Sequence, residues 1–209
     1  MASTVTGQVG PTVLGDGVQT SPLRQGKSGE QVVTDLHGRY YEQAYRKNLF
    51  TAYAAGVAIS APGTALVGLS LWNGSPVVNG VNCVLLKVGG MIIVTSASLT
   101  SVNLATGVGQ VASPTGQTAI TRVSNNFTGA QGPQATALNA GTFTNAPTAL
   151  IGFLHNTAAI AVTGEDPGFF LDLEGSIILP PQTYCTIVGN AAGAAASANL
   201  SLMWEEVAV

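Results

Sequence analysis

Ala198-Asn199-Leu200-Ser201-Leu202-Met203-Trp204-Glu205 decides the fold. In an extended chain Ala198, Leu200, Leu202 and Trp204 fall on one side, and Asn199, Ser201, Met203 and Glu205 on the other. A period of two marks a strand with one face in a core. Phe169-Phe170-Leu171-Asp172-Leu173-Glu174 repeats the pattern, with Phe169, Leu171 and Leu173 opposed to Asp172 and Glu174. Pro180-Pro181 then ends that strand before Thr183-Tyr184-Cys185-Thr186-Ile187-Val188.

Outward from these two strands, short apolar runs separated by turn residues continue back to residue 51. They predict strands over about 53–60, 65–72, 81–88, 91–104 (one strand or two), 118–124, 148–155, 158–163, 169–179, 183–188 and 197–208. No helical pattern of ten to fifteen residues separates them, which argues for an all-β jelly-roll or β-sandwich domain over 51–209 and against a parallel α/β fold. Residues 1–30 are rich in Gly, Thr, Ser, Gln, Val and Pro without a period, as in Gly7-Gln8-Val9-Gly10-Pro11. Such a stretch cannot bury a face of its own, and it reads as a flexible arm that orders only against something else. Between arm and domain, 31–50 supports two readings equally. Val33, Leu36, Tyr40 and Ala44 fit a helical stripe, while Gly38 and the β-branched and aromatic residues fit an extended chain.

Charge is scarce. Of 209 residues only 17 are charged, 8%, against about 25% in an average domain. With a net charge of -3 and a pI near 5.2, the chain is not expected to bind nucleic acid by bulk charge. Mean hydropathy is +0.35, yet the uncharged stretches 48–86, 88–121 and 123–164 are interrupted by Asn, Thr, Ser, Gly and Pro, so no membrane helix is expected. The N-terminus lacks a basic start and an apolar run, so secretion is not expected either. Segment 24–47 carries five basic and three acidic residues, whereas all six charges in 165–209 are acidic. So much neutral surface points to burial against partners.

The chemistry candidates mostly fall to simpler readings. Gly26-Lys27-Ser28 ends like a phosphate-binding loop, but Ser21 stands where the first Gly belongs and no apolar strand precedes it. Asp35, His37 and Glu42 lack the spacing of a zinc site and read as a polar interface cluster, and His155 reads as a core or rim residue. Glu165, Asp166, Asp172 and Glu174 invite a glycosidase or calcium reading. Side chains two apart on one strand, roughly 6.6 Å, do not flank a scissile bond, so a solvated or partner-facing acidic face is the simpler account. Cys83 and Cys185 lie inside apolar runs and read as buried thiols. No catalytic residue, metal or cofactor is expected. Arg39, Tyr40, Tyr41, Tyr45, Arg46 and Lys47 interleave cations with aromatic rings, and with Arg24 and Lys27 they form the candidate protein interface.

Three groups of residues carry a resemblance: Val32-Val33-Thr34-Asp35-Leu36-His37-Gly38-Arg39-Tyr40-Tyr41-Glu42; Leu69-Ser70-Leu71-Trp72-Asn73-Gly74 with Cys83-Val84-Leu85-Leu86-Lys87-Val88; and Leu179-Pro180-Pro181 with Trp204-Glu205-Glu206. Together, over about 31–209, the chain resembles tailed-bacteriophage virion proteins of the jelly-roll type. The resemblance implies a non-enzymatic virion protein that self-associates, often as a trimer, and decorates or cements a capsid against the major capsid protein or another virion protein. It transfers no binding residue. The alternative is a glycan-binding knob or tail-fibre-like adhesin, for which Trp72 or Trp204 would have to form an exposed platform.

Overall fold

The computed structural model describes residues 7–8, 23–24, 39–94, 101–125, 133–156, 168–190 and 196–209. The chain divides into two compact units, 1–41 and 42–209. In the first, β1 (Gly7–Gln8) pairs in parallel with β2 (Leu23–Arg24). A single helical turn, α1 (Tyr41–Tyr45), follows. It closes with Asn48 N donating to Gln43 O and Lys47 N to Ala44 O, both at 3.1 Å, with Lys47 left-handed at φ 66°. That pair of bonds satisfies carbonyls a helix end leaves open and turns the chain into a strand. The ambiguous 31–50 segment thus contains both structures, a helix at 41–45 and a strand from Leu49, while 31–38 lies outside the described residues.

The second unit is a sandwich of two antiparallel sheets. Its strands are β3 (Leu49–Ile59), β4 (Ala65–Asn73), β5 (Val81–Val94), β6 (Ser101–Val108), β7 (Thr118–Ala119), β8 (Arg122–Ser124), β9 (Thr136–Thr142), β10 (Ala149–Asn156), β11 (Phe169–Leu179), β12 (Thr183–Gly189) and β13 (Ala196–Ala208). One sheet has the order β11-β5-β13-β3-β8, the other β10-β6-β12-β4-β9-β7. Setting β7, β8 and β9 aside, β3 pairs with β13, β4 with β12, β5 with β11 and β6 with β10. This first-with-last nesting is a long hairpin, and the added pairs β13 with β5 and β12 with β6 show that the hairpin is rolled up. Such winding is the jelly roll, which leaves each sheet only two edges.

Most expected strands are present, with instructive differences. The first begins at Leu49, earlier than 53, and the 91–104 stretch divides: its start extends β5 and its end begins β6. The 118–124 run is two short strands, β9 was not anticipated, and 158–163 lies outside the described residues. The alternation in β13 holds throughout: Ala198, Leu200, Leu202 and Trp204 are buried against Leu85, Val88, Ile187 and the two cysteines. Each large side chain so buried contributes about 1.5–3 kcal/mol. In β11 the alternation runs as far as buried Leu173 and then breaks. Asp172 opposes Lys87 but Ile177 opposes Leu85, so residues 173–176 bulge, with Glu174 (φ 51°) and Gly175 (φ 81°) left-handed. A bulge on an edge strand also blunts it against pairing with another chain.

Polar ties fix the loops around this core. Asn73 donates from Nδ2 to Val81 O (2.7 Å) and Leu179 O (2.8 Å), and its Oδ1 accepts from Ser75 Oγ (2.7 Å) and Ser75 N (3.2 Å). All four bonds of a buried amide are satisfied, linking the β4–β5 loop to the end of β11. A second apolar cluster, Leu66, Ala105, Leu138, Phe143, Tyr184 and Val188, lies on the outer side of the six-stranded sheet. Phe143 stacks on Tyr184 at 4.1 Å, and Tyr184 lies so close over Gly107 that a Cβ there would come within 2.3 Å of the ring. On the same side, Ser70 and Thr186 are buried and bonded to each other at 2.8 Å. The middle of this face is closed, while at its edge Leu150, opposite Ala105, is exposed.

Candidate interaction surface

The eight interface candidates are divided between the two units. Arg24 lies in β2 of the first unit, and Lys27 lies outside the described residues. Arg39 stacks its guanidinium 5.6 Å from the ring centroid of its neighbour Tyr40. Tyr41 and Tyr45 open and close α1, both exposed, and Arg46 beyond them is exposed as well. Lys47 lines a cavity of about 170 Å³ with Asn48, Phe50, Val81, Gln134, Glu206 and Ala208.

Glu206 organises that cavity. Its side chain is buried at the end of β13, where Oε2 accepts from Gln134 N (2.9 Å) and Oε1 from Ala135 N (3.0 Å) and the Trp204 indole (3.2 Å). Charge-assisted bonds to backbone amides hold a buried carboxylate well. Arg122 holds the same segment from its other side, donating to Pro133 O, Ala135 O and Thr136 Oγ1. The pair pins the entry to β9. Sequence reasoning passed over Glu206, although it sits two residues past Trp204 on the inward side of an alternating strand. An acid in that place is the signal that could have found it.

The remaining chemistry candidates are accounted for locally. Asp172 lies 3.6 Å from Lys87 Nζ and accepts from Glu174 N at 3.1 Å, so it caps the bulge. Asp172 and Glu174 are both exposed but are not two regular residues of one strand, a correction the bulge imposes on the simple spacing. Glu165, Asp166, Asp35 and His37 lie outside the described residues, Glu42 is in α1, and His155 pairs in register with Val102. No group of three or more His, Cys, Asp or Glu that could hold a metal occurs among the described residues. Cys83 and Cys185 are buried and unbonded to each other. Burial first, then the nearby Glu206 and Cys185, push the Cys83 thiol far up, and burial pushes Cys185 up to about 12.

The aromatic platforms an adhesin would use are not at the two tryptophans. Trp204 is fully buried beside Phe50, and Trp72 is half-buried with its indole bonded to Gln110 O at 2.9 Å. Exposed apolar side chains gather instead on the outer side of the five-stranded sheet, including Tyr53, Met91, Phe170 and Ile178. No helix among the described residues is long and apolar enough to cross a membrane. Neither a family model, nor a curated protein, nor a solved structure matches this chain.

Proposed function

We propose that the protein is a non-enzymatic structural component of a bacteriophage virion, a jelly-roll subunit that self-associates and decorates or cements the capsid. The observation that carries this reading is an apolar, nearly uncharged sheet face in a chain with only 17 charges in 209 residues. Monomers in solution keep such patches small, whereas subunits destined for burial do not need to. Tyr41, Tyr45 and Arg46 are exposed and are of the residue types that anchor protein contacts. In this reading the arm and the 24–47 segment engage the capsid, and the sheet faces engage sister subunits.

The test is co-sedimentation of the purified protein with capsids of the phage that encodes it, emptied of the protein beforehand. Saturable binding at a fixed number of copies per capsid is expected. Protein that stays in the supernatant while the capsids pellet would overturn the proposal.

A further inference from the structure

The outer faces of the two sheets differ. That of the six-stranded sheet is closed over Tyr184, Thr186 and Val188, but that of the five-stranded sheet is open. Register fixes what the open face presents, because residues opposite one another in an antiparallel pair point to the same side. One row runs Tyr53, Ser201, Gly89, Phe170 across β3, β13, β5 and β11. The next runs Val123, Thr51, Met203, Lys87, Asp172 across all five strands. Tyr53 is 56% exposed and Phe170 67%, with Met91 and Ile178 exposed on neighbouring rows. Between the two rings the floor is small, Ser201 and Gly89, joined by Ser201 Oγ donating to Gly89 O at 3.3 Å. The result is a shallow apolar trough.

We infer that this face is the contact between copies of this chain, so that the occupant of the trough is a second subunit. The inference rests on the self-association in the proposed function and gives it a surface. Size supports it. Five strands about 4.8 Å apart and roughly eight residues long at about 3.3 Å each give a projected footprint of roughly 600 Å². That footprint is of the order of the ~800 Å² per partner of a stable interface. Charge supports it too. The row that crosses all five strands carries one cation and one anion, Lys87 and Asp172, already paired, with the Lys87 ammonium also 5.2 Å from the Phe170 ring centroid. Glu205, opposite Val84 in the row of Ile178, adds one further carboxylate, so the face is close to neutral: it repels its own copy little and offers a strongly acidic or basic partner little steering. A glycan would need ring faces open for stacking, and Lys87 already lies over that of Phe170.

The experiment uses the full chain. Light scattering of the wild-type protein at micromolar concentration should return a multiple of 21.1 kDa, and the double variant Tyr53→Glu/Phe170→Glu should return 21.1 kDa. Both side chains point outward, so the variant should keep its cooperative melting transition. A variant that keeps the wild-type mass overturns the inference. So does a wild-type protein that is monomeric, and if that monomer still binds capsids the proposed function stands without this surface. Should the variant fail to fold, the wild type alone answers the question through peroxide oxidation of Met91, read by mass spectrometry. Oxidation that slows as protein concentration rises supports the contact; a rate independent of concentration overturns it. Wild-type binding on a glycan array that is lost in the double variant, with a monomeric mass for both, also overturns it.

Discussion

Replacing Glu206 by Ala removes a carboxylate that three donors share. Of these, Ala135 N and the Trp204 indole belong to fully buried residues, while Gln134 is exposed, so its amide can turn to water. A buried donor left without an acceptor costs about 1–3 kcal/mol. Two of them set the expected loss at roughly 2–6 kcal/mol, before any strain at the entry to β9. Glu206→Gln keeps the shape and one acceptor oxygen but turns an NH₂ toward a donor. It should lose roughly half as much, about 1–3 kcal/mol. Urea denaturation followed by tryptophan fluorescence reads both, because Trp204 sits at the site, and the slope with denaturant should be unchanged if the fold is intact. A Glu206→Ala loss below about 1 kcal/mol, or a Gln variant worse than the Ala variant, would refute the view that bonds to Glu206 hold this corner of the sandwich.

Gly107→Ala should destabilise the sandwich by about 1–3 kcal/mol, because its methyl would meet the Tyr184 ring and force Tyr184 off Phe143; melting of Gly107→Ala in a Tyr184→Phe background, which leaves the ring in place, should show no rescue, whereas Tyr184→Leu should relieve part of the loss. Neither cysteine should react with a thiol reagent at pH 8 in the native state, and both should react after denaturation. Because burial raises Cys185 from 9.0 to about 12, the unfolded chain sheds that proton first. Stability should therefore fall as pH rises above 9, a decline that thermal melts at pH 8, 9.5 and 11 would detect.

Legibility followed how local each signal was. The β13 strand was readable because Ala198, Leu200, Leu202 and Trp204 face a core that extends along its whole length. The β5 strand was cut short at Lys87-Val88-Gly89-Gly90 because paired glycines look like a turn. Here Gly90 is in a strand where Phe169, Leu200 and the Asn199 carbonyl come so close that a Cβ would lie within 2.8 Å of each. The β9 strand, Thr-Ala-Leu-Asn-Ala-Gly-Thr, has weak alternation and a left-handed Ala140, so its pairing with β4 determines it more than its own residues do. The Lys47 cavity was hidden for a different reason. Its walls come from residues near 47, 81, 134 and 206, brought together only by rolling the hairpin, and no local pattern announces such a site. Pairing in register, likewise, is what aligned Tyr53 with Phe170 across four strands.

The two contacts proposed for this protein differ in their electrostatics, and that difference separates them in one titration. Segment 24–47 has five basic and three acidic residues, so a contact made there with an acidic neighbour gains from opposite charge and is screened as salt rises, over a Debye length of about 10 Å at 0.1 M. The trough row crossing the five-stranded sheet has Lys87 and Asp172 neutralising each other at 3.6 Å, and its association energy comes from covering Tyr53, Phe170 and their apolar neighbours. Apolar burial is not weakened by sodium chloride and is strengthened by sulfate. Raising sodium chloride from 0.05 to about 0.5 M should therefore release the protein from capsids while its mass by light scattering stays that of the oligomer. Replacing the chloride with sulfate at equal ionic strength should leave the release unchanged and shift the oligomer to lower dissociating concentrations. Salt that splits the oligomer before it frees the capsid would reverse the assignment, giving the charged segment to the subunit contact and the apolar face to the particle.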